Sequence, residues 1–136
     1  MSKQSLFIEG STQAVQAAGY ALNPPAKVAG RKDDSGKLDM TLLNDMPRAI
    51  AAVVEVMQWA ITKKTPVPYD RASWLGVAPE RYQAASLRHQ FAAAKQANGD
   101  PLTERDEETN LLHLAHEACS KLMALENVLR KMEGKE

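Results

Sequence analysis

The sequence predicts an all-α fold, a compact helical bundle of three main helices preceded by an N-terminal arm. Three observations carry that expectation. Alanine, leucine and methionine are plentiful while aromatic residues make up 5% of the chain, which suits helices packed through small and flexible side chains. Three long segments repeat their apolar residues with a helical period, and none alternates as a strand does. Turn-forming clusters, Thr65-Pro66-Val67-Pro68 and Asn98-Gly99-Asp100-Pro101, separate those segments.

The chain has 136 residues, of which 44% are hydrophobic, enough for one domain with a real core. Its 17 basic and 17 acidic residues balance, which argues against a protein that coats duplex DNA, so no direct nucleic-acid binding is expected. Cys119 stands alone and excludes an internal disulfide or a cysteine-built zinc site. The opening MSKQSLFIEGSTQ lacks the basic start and long apolar run of a signal peptide. The most apolar stretch, residues 49–61, is interrupted by Glu55 and Gln58 and is too short to span a bilayer. A cytoplasmic protein with no membrane association is the expectation.

Residues 1–30 form the expected arm, with a short helix over 12–20 ahead of the breaker Asn23-Pro24-Pro25. Residues 31–136 form the expected helical domain. A charged run, Gly30-Arg31-Lys32-Asp33-Asp34-Ser35-Gly36-Lys37-Leu38-Asp39, leads into it without periodicity. The first helix is expected over 45–64, with Asp45 as N-cap and Pro47 in its first turn. Its apolar arc gathers Ala49, Ile50, Val53, Val56, Met57, Ala60 and Ile61. A loop carrying Trp74 follows, then a second helix over 79–96. The third helix is expected over 109–132, with an arc of Leu111, Leu114, Ala115, Ala118, Leu122, Leu125 and Leu129. Three helices and an arm make a thin core, so a homo-oligomer is expected, with sites at subunit boundaries.

All three histidines fall between positions 89 and 116. His113 and His116 are three residues apart and share one side of the third helix, with His116 at the edge of the apolar arc and His113 further into the polar side. Such a pair can aim two ligands at one ion or one phosphate. Asp106, Glu107 and Glu108 add acceptors just before that helix. The same residues also suit a plain reading as bundle histidines, with acids that offset the helix dipole. On the second helix Arg81, Ala85, Arg88, His89 and Ala92 fall within about 100°, with Tyr82 at the edge. That face is either a cationic surface whose guanidinium forks suit phosphate oxygens or a solvated one. Gly36-Lys37 could let a loop close over a polyphosphate, although the glycine spacing of a P-loop is missing. Glu55 lies off the apolar arc and is a solvent-facing acid or a metal ligand, while Cys119 reads as core.

Taken in order, the run 30–37, Leu42-Leu43, Trp74, Arg81-Tyr82, Arg88-His89 and the closing Asp106-Glu107-Glu108-Thr109-Asn110-Leu111-Leu112-His113-Leu114-Ala115-His116 resemble a known family. It is the phage-associated N-terminal domain of dATP/dGTP diphosphohydrolases, which is similar to the MazG-like all-α nucleotide pyrophosphohydrolases. The resemblance spans roughly residues 30–130. It implies cleavage of purine deoxynucleoside triphosphates to monophosphate and pyrophosphate with a divalent metal, in a phage nucleotide pool. His113 and His116 stand where MazG-like enzymes carry an acid-x-x-acid pair.

On that resemblance, Glu108, His113 and His116, with Glu55 or Asp106, would hold Mg²⁺ or Mn²⁺. Arg81, Arg88 and Lys37 would neutralise phosphate charge, and His89 would be a ligand or an acid for the leaving group. Tyr82 or Trp74 would stack on the base or fill the core. Two alternatives stand beside this reading. One is a non-catalytic phage protein that binds or sequesters nucleotides, favoured by the absence of the usual lysine-tyrosine-glycine pattern at 62–68. The other is a different metal-dependent phosphohydrolase.

Overall fold

The computed structural model describes residues 30–96 and 99–134. The expected arm and its helix over 12–20 lie outside these residues, apart from Gly30. The chain falls into two compact units, Met1–Asp39 and Met40–Glu136. In the described part of the first, the Asp33 carboxylate accepts the Ser35 amide at 2.9 Å and the Lys37 amide donates to the Asp34 carbonyl at 3.0 Å. Gly36 supplies the left-handed φ of 73° that this turn needs.

The second unit holds every described helix. A 3-10 helix, Met40–Asp45, leads into α1 (Pro47–Thr62), followed by α2 (Pro79–Lys95), a second 3-10 turn (Pro101–Thr103) and α3 (His113–Met132). Among the described residues the only β feature is an isolated antiparallel bridge between Arg105 and Leu112. The all-α expectation with three main helices is what the chain adopts.

Local chemistry sets the ends of the helices. Proline opens both α1 and α2, where its missing N–H costs nothing. The cap of α1 is Met46 rather than the expected Asp45, and no side chain bonds to it. Asp45 is used in the preceding 3-10 turn, where the Met46 amide reaches the Leu43 carbonyl at 3.2 Å. The end of α1 comes at Thr62, short of residue 64, because the amides of Lys63 and Lys64 both turn back to the Trp59 carbonyl. The second helix matches its expected span to within one residue. The third begins at His113, four residues later than expected. Asp106 draws the Thr109 amide into a separate turn, and Asn110 then takes a left-handed φ of 59°, which a continuous helix cannot contain.

The central helix is α3. It packs against α2 and against α1, which do not touch one another. Between α1 and α3, Val56, Ala115 and Cys119 form the buried cluster, with Ala52, Val53 and Met57 beside them. Burial pushes the Cys119 thiol up to about 11, so it is an inert core group, as expected. The other buried side chains of α2 and α3 are small or polar: Ser86 and Ala93, and His113, Ala124 and Asn127. Asn127 donates to the carbonyls of Trp74 and Val77 at 3.0 and 2.9 Å and accepts from the Gly76 amide at 3.3 Å, which ties the Trp74 turn to α3.

The apolar arcs expected to form the core do so in part: Val53, Val56, Met57, Leu111 and Ala115 lie in or against the buried cluster, and the other large side chains do not. Leu114, Leu122, Leu125 and Leu129 are 43–53% exposed, and Ala49, Ile50 and Ile61 are exposed on α1. His113, expected toward the polar side, is 4% exposed and belongs to the interior. Helices that approach closely do so over small side chains, so alanine, serine, cysteine and asparagine take the contacts and the leucines are left on an open face.

Candidate metal centre

The site is built from one helix, one helix start and the loop between them. His89 projects from the third turn of α2 and His113 is the first residue of α3. The loop that brings Asp106 to them is closed by backbone bonds. His113 donates its amide to the Glu104 carbonyl at 3.0 Å and Asp106 to the Leu111 carbonyl at 2.8 Å, while the Arg105 guanidinium caps the Asn110 carbonyl at 2.9 Å. With Asn110 in the left-handed region, the chain reverses between Asp106 and Leu111, and the Asp106 carboxylate is returned beside the histidines.

Nδ1 of His89 lies 2.9 Å from Nδ1 of His113 and 3.8 Å from Oδ1 of Asp106. One ligand atom from each of the three lies within 4.8 Å of the others. The rings of His89 and His116 are stacked, with centroids 4.2 Å apart and planes 5° from parallel. Nε2 of His116 is 2.7 Å from the Thr109 hydroxyl, which also accepts the Leu111 amide at 3.1 Å. The Thr109 amide holds the other oxygen of Asp106 at 2.9 Å. Thr109 therefore fixes both an acid and an imidazole of the cluster.

The charge states suit a cation. Burial, reinforced by His116, lowers His89 to about 4. Burial likewise lowers His116, although Asp106 opposes it. Burial works against ionisation of Asp106, but the Thr109 amide and the facing imidazoles hold its carboxyl below the ordinary value. At neutral pH His89 and His116 therefore present neutral rings with lone pairs and Asp106 a carboxylate, the form in which such groups bind a metal. Two ligands on one ion at about 2.1 Å stand roughly 3 Å apart, which is the spacing of the two Nδ1 atoms.

The family of dATP/dGTP diphosphohydrolases, in its N-terminal domain, matches residues 27–136. The chain belongs to this family. No curated protein and no solved structure matches it. For this diphosphohydrolase-family domain, no described helix is long and apolar enough to cross a membrane.

Of the residues singled out in the sequence, His89, Asp106 and His113 come together, and His116 joins them by stacking. His89, read as a ligand or an acid, has its ring nitrogen in the cluster. Glu108 instead pairs with Lys64 at 3.2 Å, with both groups partly exposed, and Lys64 sits 5.7 Å from the Trp59 ring centre. Glu55 is exposed on α1 and is no member of the cluster. Arg81 and Arg88 are exposed on α2, and Tyr82 is half-buried with its hydroxyl pushed up by burial. Trp74 is half-buried at one end of a groove between α1 and α3. Lys37 is exposed in the Met1–Asp39 unit. Sequence reasoning missed Thr109 as a functional residue. The signal was present in Asp106-x-x-Thr109, a spacing at which a carboxylate accepts an amide three residues on, but it was absorbed into the expected helix start.

Proposed function

We propose that this domain hydrolyses dATP and dGTP to the monophosphate and pyrophosphate, with a divalent ion held by His89, Asp106 and His113. The observation that carries the reading is the convergence of two imidazoles and one carboxylate within 4.8 Å, in a chain of the dATP/dGTP diphosphohydrolase family. Two nitrogens and one carboxylate favour Mn²⁺ or another transition ion over Mg²⁺, which prefers oxygen. An ion there would polarise phosphate oxygens and lower the pKa of a bound water.

The chain's own residues have distinct parts in this reading. The hydroxyl of Thr109 orients His116 and its amide orients Asp106, so the cluster is set before substrate arrives. The exposed forks of Arg81 and Arg88 offer bidentate contacts to phosphate oxygens on the helix that carries His89. Trp74, anchored by Asn127, offers a ring face for a base, with Tyr82 the other candidate. The role of Lys37 rests on its glycine-lysine sequence alone, as do Glu55 and Glu108 as further ligands on their type. A phage nucleotide pool and the cytoplasm are the setting that the family resemblance suggests.

The test is a panel of deoxynucleoside and ribonucleoside triphosphates with Mn²⁺ or Mg²⁺, products being separated by anion exchange. Monophosphate plus pyrophosphate from dATP and dGTP is the expected result. Diphosphate or free nucleoside would assign the centre to another phosphohydrolase reaction. Nucleotide binding without turnover would make this a sequestering protein.

A further inference from the structure

We propose that Lys64 is a positioning residue for the metal centre. By holding the Glu108 carboxylate at the end of α1, it keeps a fourth protein ligand off the ion and leaves coordination positions open for phosphate oxygens and water. The inference rests on the reading of His89, Asp106 and His113 as the ligands of that ion.

Glu108 is an acid that the loop brings to the edge of the cluster without joining it. It lies two residues after Asp106 in the same turn and directly before Thr109, whose hydroxyl meets Nε2 of His116 at 2.7 Å. Its negative charge is felt at His116, where it favours the protonated ring against the effect of burial. Yet the ligand atoms that lie within 4.8 Å of one another belong to His89, Asp106 and His113. Oε2 of Glu108 is turned instead to Nζ of Lys64, 3.2 Å away and 44 residues back in the sequence.

Lys64 is well placed to hold that carboxylate. Between residues 61 and 70 it is the one residue that is not exposed. Its amide turns back to the Trp59 carbonyl at 3.2 Å, and its ammonium lies 5.7 Å from the centre of the Trp59 ring. Surface ion pairs are weak in large part because two long side chains must be ordered against solvent. Here the backbone turn and the ring already order the lysine.

The consequence is chemical. Three protein ligands with a position left open is the arrangement of a catalytic ion, whereas a fourth ligand closes the site as in a structural one. A second carboxylate would also offset the charge of the ion, weakening its pull on phosphate oxygens and its acidification of a bound water. Released from Lys64, Glu108 has the charge and the place in the turn to do both.

The experiment is a double-mutant cycle of Lys64→Met and Glu108→Gln, read by titration calorimetry with Mn²⁺ and by turnover of dGTP, with helix content checked by circular dichroism. Methionine keeps an apolar stem over Trp59 and removes the ammonium. Lys64→Met is expected to bind Mn²⁺ about tenfold more tightly, because a charged ligand is added, and to turn over dGTP about tenfold more slowly. In the Glu108→Gln background the same change is expected to alter neither. Lys64→Arg, which keeps the charge, is expected to retain wild-type Mn²⁺ affinity. Should Lys64→Met lose its helices, Glu108→Gln alone decides: Mn²⁺ affinity equal to wild type supports the inference, and a loss of affinity makes Glu108 a ligand and overturns it. Equal tightening by Lys64→Met in both backgrounds would be the through-space effect of removing a cation, and unchanged or weaker binding would make the pair a plain strut. Either result overturns the inference and leaves the centre in place. No Mn²⁺ binding by the wild type would overturn the centre and this inference with it.

Discussion

His89 on α2 and His113 on α3 point the same ring nitrogen, Nδ1, at one another across 2.9 Å. Without an ion, that contact requires one ring to carry its proton on Nδ1 while the other accepts. With an ion, both lone pairs turn to the same centre, and Asp106 is close enough to join them. An ion bound only by the folded chain stabilises it by mass action. Millimolar Mn²⁺ is therefore expected to raise the thermal midpoint of metal-free protein by several degrees, and His89→Ala to abolish that rise. Differential scanning calorimetry with and without Mn²⁺ checks this.

Thr109 is a positioning residue, since it acts through His116 and Asp106. Thr109→Val keeps the shape and the amide bond to Asp106 but removes the hydroxyl that meets Nε2 of His116. Loss of such a supporting contact weakens metal affinity or activity by roughly 10- to 100-fold. Thr109→Ser is expected to recover most of it. Titration calorimetry with Mn²⁺ on the three proteins separates this role from a merely structural one, which would alter the melting temperature without altering affinity.

The cluster also makes the fold acid-sensitive. His89 titrates near 4 when folded and near its ordinary 6.5 when unfolded, and His116 is shifted in the same direction. As pH falls below 6.5 the unfolded chain takes up protons that the folded chain refuses, so stability falls with pH down to about 4. Above 6.5 this contribution is constant. Urea midpoints of metal-free protein at pH 7.0, 6.0 and 5.0 should decline, and His89→Gln should flatten the decline. Equal slopes for both proteins would show that His89 is not the group responsible.

The fold class and the three helices were legible because proline and glycine punctuate the chain and the apolar period is helical throughout. The depth of each residue was not legible. Apolar periodicity identifies the larger apolar face of a helix, and in α3 that face, Leu114, Leu122, Leu125 and Leu129, is the exposed one. The buried residues of α3 instead include Ala124, Asn127 and His113, whose small or polar side chains carry little periodic signal. The site was partly legible for a related reason. Clustering of histidines and acids pointed to residues 89 and 106–116, yet His89 and His113 meet only because a left-handed Asn110 delays the helix. That delay turns Glu108 toward Lys64 and returns Asp106 to the cluster, a division among neighbouring acids that spacing alone cannot make.

Asn127 gives a stability test away from the cluster. Its three bonds to the Trp74 turn satisfy two carbonyls and one amide beside a buried side chain. Asn127→Ala would leave the Val77 carbonyl and the Gly76 amide without this partner, while the Trp74 carbonyl keeps the Val77 amide at 3.3 Å, at a cost of about 1–3 kcal/mol. The loss should appear as a lower urea midpoint with an unchanged slope. If Trp74 serves the base, the KM for dATP should also rise in this variant while metal affinity stays the same.

The central claim is that the His89, Asp106 and His113 cluster drives hydrolysis of purine deoxynucleoside triphosphates. The most direct measurement is turnover of dGTP with Mn²⁺, by wild-type protein and His113→Ala in parallel, with products resolved and helix content checked by circular dichroism. The expected result is dGMP and pyrophosphate from the wild type, no product in excess EDTA, and at least a 100-fold loss in a folded His113→Ala. Undiminished dGTP cleavage by that variant, or by wild-type protein in EDTA, would contradict the claim.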